Sequence, residues 1–298
     1  MAKITLLDGG MGQELVARSG DIPTPLWATR VMLDNPGLVQ AIHADYFAAG
    51  ATIATANTYA IHHDRLERVD MDDQFETLHR MALSQASEAR AAHGRGRIAG
   101  SMGPLVASYR ADVVQPLEAA TQKYAEIAAL IGPMVDLILI ETMASVLQAE
   151  GALKGAQAAQ KPIWLSVSVN DHDGSLLRSD EPIADLGRII EEYRPEAVLV
   201  NCSVPEAMTA ALAEVAKFGL PYGAYANGFT HISGNFLKDA PTVAELTHRH
   251  DLTPEKYTEF AMGWVAQGAT IVGGCCEVGP AHIRALHDAL IAAGHEVV

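Results

Sequence analysis

The sequence predicts an α/β protein of the (β/α)8 barrel class, a single domain over residues 1–298, and three observations predict it. Eight short β-type runs alternate with longer helical stretches from one end of the chain to the other. Several runs are apolar at every position, as in parallel strands covered on both faces. Polar and thiol residues recur at the same end of nearly every run, which is where a barrel gathers its loops. A doubly wound open sheet is the main competitor, but its usual five to six strands leave two or three units unused.

Residues 4–8 form the first strand, ending on Asp8, and its helix is placed at 36–49. The second unit pairs strand 52–58, carrying Asn57 near its end, with helix 72–93. The third ends its strand 97–101 on Ser101 and continues into helix 118–131. Strand 137–142 is continuously apolar up to Glu141 and precedes helix 145–159. Strand 163–169 and helix 183–193 make the fifth unit. The sixth strand, 197–202, ends on Cys202, and Ser203-Val204-Pro205-Glu206 opens helix 205–217. Proline fits a first turn because the N–H it lacks has no partner there. Strand 222–226 leads to Asn227, and a stretch over 227–252, with the His248-Arg249-His250 cluster, is too long for an ordinary loop. It is expected to cover the barrel mouth before helix 254–267. Strand 270–274 runs into Cys275 and Cys276, and Gly279-Pro280 opens the last helix, 280–293.

Composition narrows the function. Hydrophobic residues make up 49% of the 298 and charged residues 19%, enough apolar material for a sizeable core. The formal charge of −15, from 36 acidic against 21 basic residues, repels phosphate backbones and anionic lipid surfaces, so no nucleic-acid or membrane partner is expected. The N-terminal apolar stretch is broken by Asp8, too short for a signal peptide, and no segment approaches the roughly 18 apolar residues of a membrane span. Three cysteines and no export signal argue against a disulfide framework and for a reducing cytoplasm.

Those three cysteines carry the chemistry. A lone Cys202 reads as a small core hydrophobe. An adjacent pair after Gly273-Gly274 reads differently, because successive strand side chains point to opposite faces unless the backbone leaves the extended form, and glycine permits that turn. Zinc prefers four tetrahedral ligands, and three protein thiolates leave one position open for a water or a substrate sulfur. Three-thiolate zinc binding by Cys202, Cys275 and Cys276 is therefore expected, with a vicinal disulfide or a structural cluster as alternatives. Leu7-Asp8-Gly9-Gly10-Met11-Gly12 looks like a strand end followed by a backbone-exposing turn. It is not the G-x-G-x-x-G fingerprint with its following helix and ribose-binding acid, so a pyrophosphate cofactor is unsupported. Its N–H groups can meet a carboxylate, while Asp8 and Glu141 offer anionic partners for an ammonium group, together holding an amino acid by its backbone end. His62, His63, His172, His248 and His250 read as solvated loop histidines, and Asp72-Asp73 and Glu191-Glu192 as charged helix faces.

The residues Leu7 to Gly12, Ala49-Gly50-Ala51 leading to Ala56-Asn57-Thr58-Tyr59, Gly100 to Pro104, Ile140-Glu141-Thr142, Val200 to Ser203 and Gly273 to Cys276 form a pattern. The chain resembles the homocysteine S-methyltransferase family over about residues 3–290. The resemblance implies a (β/α)8 barrel in which Cys202, Cys275 and Cys276 bind zinc. It further implies that Asp8 and Glu141 hold the homocysteine amino group, with backbone around Gly9 and Gly10 binding the rest of the amino acid. Asn57, Ser101 and Asn227 are added as substrate-binding candidates from their places at strand ends. Betaine-type members carry a zinc-ligating tyrosine after the strand-four glutamate, where this chain has Thr142, and they carry a long C-terminal extension not seen here. Both differences point toward sulfonium-dependent members. The reaction implied is a methyl transfer from a cationic donor to the zinc-bound thiol of homocysteine, giving methionine, in a monomer or small homo-oligomer. Donor candidates are S-methylmethionine, S-adenosylmethionine, dimethylsulfoniopropionate and betaine, held against aromatic faces such as Trp27, Tyr59 or Tyr109. The rival functions are a non-catalytic zinc- or thiol-binding protein and a hydrolase using Cys202 as nucleophile.

Overall fold

The computed structural model describes residues 1–20, 28–232 and 246–298, and within them nine strands form one parallel sheet. The strands are β1 (Lys3–Leu6), β2 (Ile53–Thr55), β3 (Arg97–Met102), β4 (Leu137–Met143), β5 (Ile163–Val167), β6 (Ala197–Asn201), β7 (Tyr222–Tyr225), β8 (Ile271–Val272) and β9 (Glu296–Val297). Strands β2 to β8 follow in sequence order, and β8 then pairs with β1. The sheet curls until β1 meets β2 through a single bridge, Leu7 to Ile53, beside a 2.7 Å hydrogen bond from the Thr52 N–H to the Leu6 carbonyl. All eight expected strands are present, and β9 adds a short strand against the start of β1.

Side-chain alternation sorts each strand into two sets. Leu7, Ile53, Ala99, Leu137, Leu139, Trp164, Ala197, Leu199, Tyr225 and Ile271 form one cluster, the filling of the barrel. Their neighbours Leu6, Ile98, Ile138, Ile140, Leu165, Val198, Val200, Ala224 and Val272 belong to the other, which packs beneath the helices. Strands buried on both faces therefore read as unbroken apolar runs.

The helices are α1 (Met11–Ser19), α2 (Ala28–Asp34), α3 (Leu38–Ala49), α4 (His63–Leu66), α5 (Phe75–His93), α6 (Leu117–Ile131), α7 (Val146–Ala156), α8 (Gly187–Tyr193), α9 (Met208–Val215), α10 (Pro254–Ala266) and α11 (Pro280–Ala292). All eight expected helices are present, several lengthened by 3-10 turns such as Asp72–Gln74 before α5 and Ile183–Leu186 before α8. Three are additions. Helices α1 and α2 fill the long connection after β1, so a helix does follow the glycine turn at residues 9–12, and α4 is a single turn after β2. Several strands end two or three residues sooner than the apolar runs do, because the chain turns into the loops that build the site. Trp27 and residues 233–245, within the long stretch over 227–252, lie outside the described residues. Among the described residues no helix is long and apolar enough to cross a membrane.

Candidate functional site

The alternation that fills the barrel with Ala99, Leu139 and Leu199 continues two residues further along each strand, and the inward positions there are Ser101, Glu141 and Asn201. The apolar filling thus gives way to a polar layer at the C-terminal ends of the strands. Glu141 accepts a hydrogen bond from the Ser101 hydroxyl and another, at 3.0 Å, from the Tyr225 hydroxyl. Burial pushes its carboxyl up to about 7, against the pull of those two donors. Asp8, just past the end of β1, accepts the Thr55 N–H at 2.7 Å, and burial pushes it up to about 7 as well. His43 on α3 lies 4.0 Å from Asp8, but burial drives its pKa down to about 4, so it brings no positive charge.

The three thiols face these carboxylates. Cys202 follows β6 in a left-handed conformation, φ 50°, and Thr142 near the end of β4 does the same at φ 63°. Asn201 ties the two strand ends together: its Oδ1 accepts the Thr142 N–H at 2.9 Å and the Ser166 hydroxyl at 2.8 Å, and its Nδ2 donates to the Thr142 hydroxyl at 2.9 Å. Such backbone strain persists only where surrounding bonds over-determine it. The loop carrying the other two thiols is stitched on both sides. Gly274 N–H donates to the Asp8 carbonyl (2.9 Å), Cys275 N–H to the Ala226 carbonyl (3.0 Å), and the Cys276 carbonyl accepts the Gly228 N–H (2.8 Å).

Gly273 and Gly274 serve this loop differently from the expected turn. Neither has a positive φ. A Cβ on Gly273 would lie 2.5 Å from the Leu7 Cβ, and one on Gly274 would lie 2.2 Å from the Val278 side chain. They allow close approach of the loop to β1, and the left-handed residue is Glu277, φ 65°.

The Sγ atoms of Cys202, Cys275 and Cys276 all lie within 4.8 Å of one another, with Cys202 and Cys276 at 3.7 Å. A tetrahedral zinc with bonds of about 2.3 Å sets its sulfurs about 3.8 Å apart, so this donor set fits the ion. No other group of three potential ligands within such reach occurs among the described residues. Hydrogen bonds from Cys275 and Cys276 hold the Cys202 thiol well below its ordinary pKa, while accepting that anion as neighbour pushes Cys275 and Cys276 up.

A cavity of about 110 Å³ joins the two halves. Of the residues singled out in the sequence, Asp8, Gly9, Gly10, Asn57, Ser101, Glu141 and all three cysteines line it. Asn227 does not; it is buried, its Oδ1 accepting the Phe229 N–H at 3.2 Å. The Gly10 N–H is already committed to the Val278 carbonyl at 3.0 Å, whereas Met11, Gly12 and Gln13, the first turn of α1, line the cavity. First-turn N–H groups lack partners within their helix, so this turn is able to meet a carboxylate, and the donors are those of α1 rather than Gly10. Tyr59 and Tyr109, expected as aromatic faces for the donor, line the cavity too, whereas Asn201 and Tyr225 went unassigned. Strand alternation points to those two, while nothing in the local sequence marks the contact of Tyr109 with Cys202. The two described ends of the long stretch over 227–252 meet at Phe229 and His248 and set Phe229 and Leu246 against Cys202. The histidines divide: His172 is exposed, but His62 is buried against Tyr124, with its Nε2 2.9 Å from the Tyr59 carbonyl.

The chain as a whole is similar to known proteins. Residues 5–290 match the family model described as homocysteine S-methyltransferase. The homocysteine S-methyltransferase of Escherichia coli (strain K12) is 29% identical, over 95% of this chain and 94% of its own length. A selenocysteine Se-methyltransferase of Brassica oleracea var. italica is 26% identical over 96% of this chain and 89% of that protein. The crystal structure of the E. coli homocysteine methyltransferase MmuM in its metallated form superposes with a TM-score of 0.80 at 27% identity, covering 96% of each chain. With its barrel, its thiol trio and a match over nearly its whole length, the chain belongs to the homocysteine S-methyltransferase family.

Proposed function

We propose that this protein transfers a methyl group from a cationic sulfonium or quaternary ammonium donor to the thiol of homocysteine, giving methionine, at a zinc ion held by Cys202, Cys275 and Cys276. The observation that carries this is a single cavity with three convergent thiols on one wall and two buried carboxylates, Asp8 and Glu141, on another. An amino acid bearing a thiol spans those two walls.

A bound zinc would supply the charge that stabilises a substrate thiolate over a thiol at neutral pH. The protein's own residues do the rest. Asp8 and Glu141 ionise on receiving the substrate ammonium, which supplies the counter-charge their burial denies them. Ser101, Tyr225 and the Thr55 N–H keep those carboxylates aimed into the cavity. The first turn of α1 takes the substrate carboxylate. Held at both ends, the sulfur is confined to the approach line of the donor, and this positioning lowers the barrier. The new bond joins the homocysteine sulfur to the methyl carbon as the donor's own bond to that carbon breaks. The donor leaves with one positive charge fewer, and the thiol proton passes to solvent. Intact thiols demand a reducing compartment, consistent with placement in the cytoplasm.

The test is methionine formation from homocysteine with S-methylmethionine, S-adenosylmethionine, dimethylsulfoniopropionate and betaine in turn, each with and without chelator. Chelation should abolish turnover and added zinc restore it. Cys202→Ser and Cys275→Ala should release the metal and lose activity, and full turnover by metal-free Cys275→Ala would refute the mechanism.

A further inference from the structure

Tyr109 sits in the loop after β3, far in sequence from every thiol, yet its hydroxyl donates to Cys202 Sγ at 3.1 Å. Its placement is specific. The residue is only 5% exposed, lines the cavity and adopts a left-handed φ of 62°, a conformation that is costly for a bulky side chain. The Arg178 guanidinium lies over its ring, 5.0 Å from the centroid. Arg178 is itself fixed by Asp171 at 2.9 Å and by the Ser168 hydroxyl at 2.6 Å, and it donates to the Cys202 carbonyl at 3.3 Å. One network thus grips a single cysteine at both its backbone and its sulfur.

We propose that Tyr109 is a positioning residue whose hydroxyl hydrogen-bonds the Cys202 sulfur as a metal-bound thiolate, resting on the zinc-thiolate reading of the site. Three thiolates around a divalent ion leave net negative charge in a buried place, and a donor outside the ligand set spreads part of it. Cys202 is the one thiol of the three that is fully buried, so solvent cannot supply that hydrogen bond in its place. An ionised sulfur deprived of its donor is both a poorer resident of the buried site and a better nucleophile toward any alkylating molecule in the cavity. Tyr109 therefore keeps Cys202 a ligand, leaving the substrate sulfur as the one that is methylated.

The experiment uses the full chain with Tyr109→Phe, which retains the ring and its stacking on Arg178 and removes only the hydroxyl. Zinc affinity is read by competition with a chromophoric chelator, and alkylation of Cys202 by iodoacetamide in the zinc-loaded protein is read by peptide mass spectrometry. The expected result is zinc affinity lower by about 10- to 100-fold, the range typical of lost outer hydrogen bonds at metal sites, with faster alkylation at Cys202. Thermal unfolding of the metal-free variant should match the parent, which separates this from a folding defect. Zinc affinity within twofold of the parent overturns the proposal while leaving the zinc site standing. If the parent chain itself takes up no zinc, the zinc reading fails and the role assigned to Tyr109 fails with it.

Discussion

Asp8 and Glu141 each hold a proton near neutrality because burial removes the water that would solvate their charge. Their folded pKa values, both about 7, stand above the ordinary 3.8 and 4.5, so the native state binds more protons than the unfolded chain between about pH 4 and 7. Stability contributed by these groups is accordingly full below pH 4 and lost as pH rises through 7. For Glu141 the loss amounts to roughly 3 kcal/mol at pH 8. Glu141→Gln should therefore raise the urea midpoint at pH 8, with little change at pH 4, while raising the KM for homocysteine by about 10- to 100-fold through loss of a charged hydrogen bond. The parent's kcat/KM for homocysteine should climb as pH rises through about 7, as the carboxylates become free to ionise. A variant of unchanged KM would show that Glu141 does not meet the ammonium. The place of both carboxylates at the cavity was legible in the sequence because each comes at the end of an apolar run and no core position needs an acid. The bond from Tyr109 to Cys202 was not, since the two are 93 residues apart and only folding brings them to hydrogen-bond distance.

Strand and helix types were legible because burial on both faces writes itself as unbroken apolar runs and each covering helix shows its own period. The strand ends were less so, because single buried apolar residues such as Leu7, Ala56 and Ala226 still follow where the ladder has already ended. Helix α1 was hidden by its own start: two glycines and no side-chain cap mark a turn, and Gly10 serves as N-cap through its backbone alone. Its neighbour Gly9 carries a steric demand that sequence cannot express. A Cβ there would lie 2.0 Å from the Val278 carbonyl oxygen and 2.9 Å from the Tyr46 ring. Both are rigid parts of the joint where the end of β1 meets the thiol loop. Gly9→Ala should lower unfolding stability by about 1–3 kcal/mol, seen as a reduced urea midpoint. Zinc affinity should fall with it, because the same shift moves Gly274, which donates to the Asp8 carbonyl, and with it Cys275. An alanine variant with parental stability and metal affinity would mean that the joint has slack. At the start of α7, the Ser145 side chain accepts the Gln148 N–H at 3.2 Å, and Ser145→Ala should cost about 1 kcal/mol without touching the site.

Across the whole molecule the excess of acid is an electrostatic statement about the donor. A net charge of −15 surrounds a cavity whose walls carry thiols and carboxylates, and such a field gathers cations and repels anions before any contact is made. Homocysteine near neutrality is a zwitterion with no net charge to steer. A sulfonium or quaternary ammonium donor with net positive charge is drawn in. Raising ionic strength from about 10 to 100 mM shortens the screening length from about 30 to 10 Å, which hides most of the surface charge while leaving contacts inside the cavity largely unscreened. With a donor of net positive charge varied and homocysteine saturating, kcat/KM should fall several-fold over that range. With homocysteine varied and the donor saturating, it should change far less. The contrast separates steering by the whole molecule from binding by local residues, because losing a local contact would lower both parameters at every salt concentration. A flat salt profile for S-methylmethionine would show that its approach is governed by the cavity walls alone. In that event the acidic surface would be a matter of solubility, and selection among donors would have to rest on side chains such as Tyr59 and Tyr109 that line the cavity.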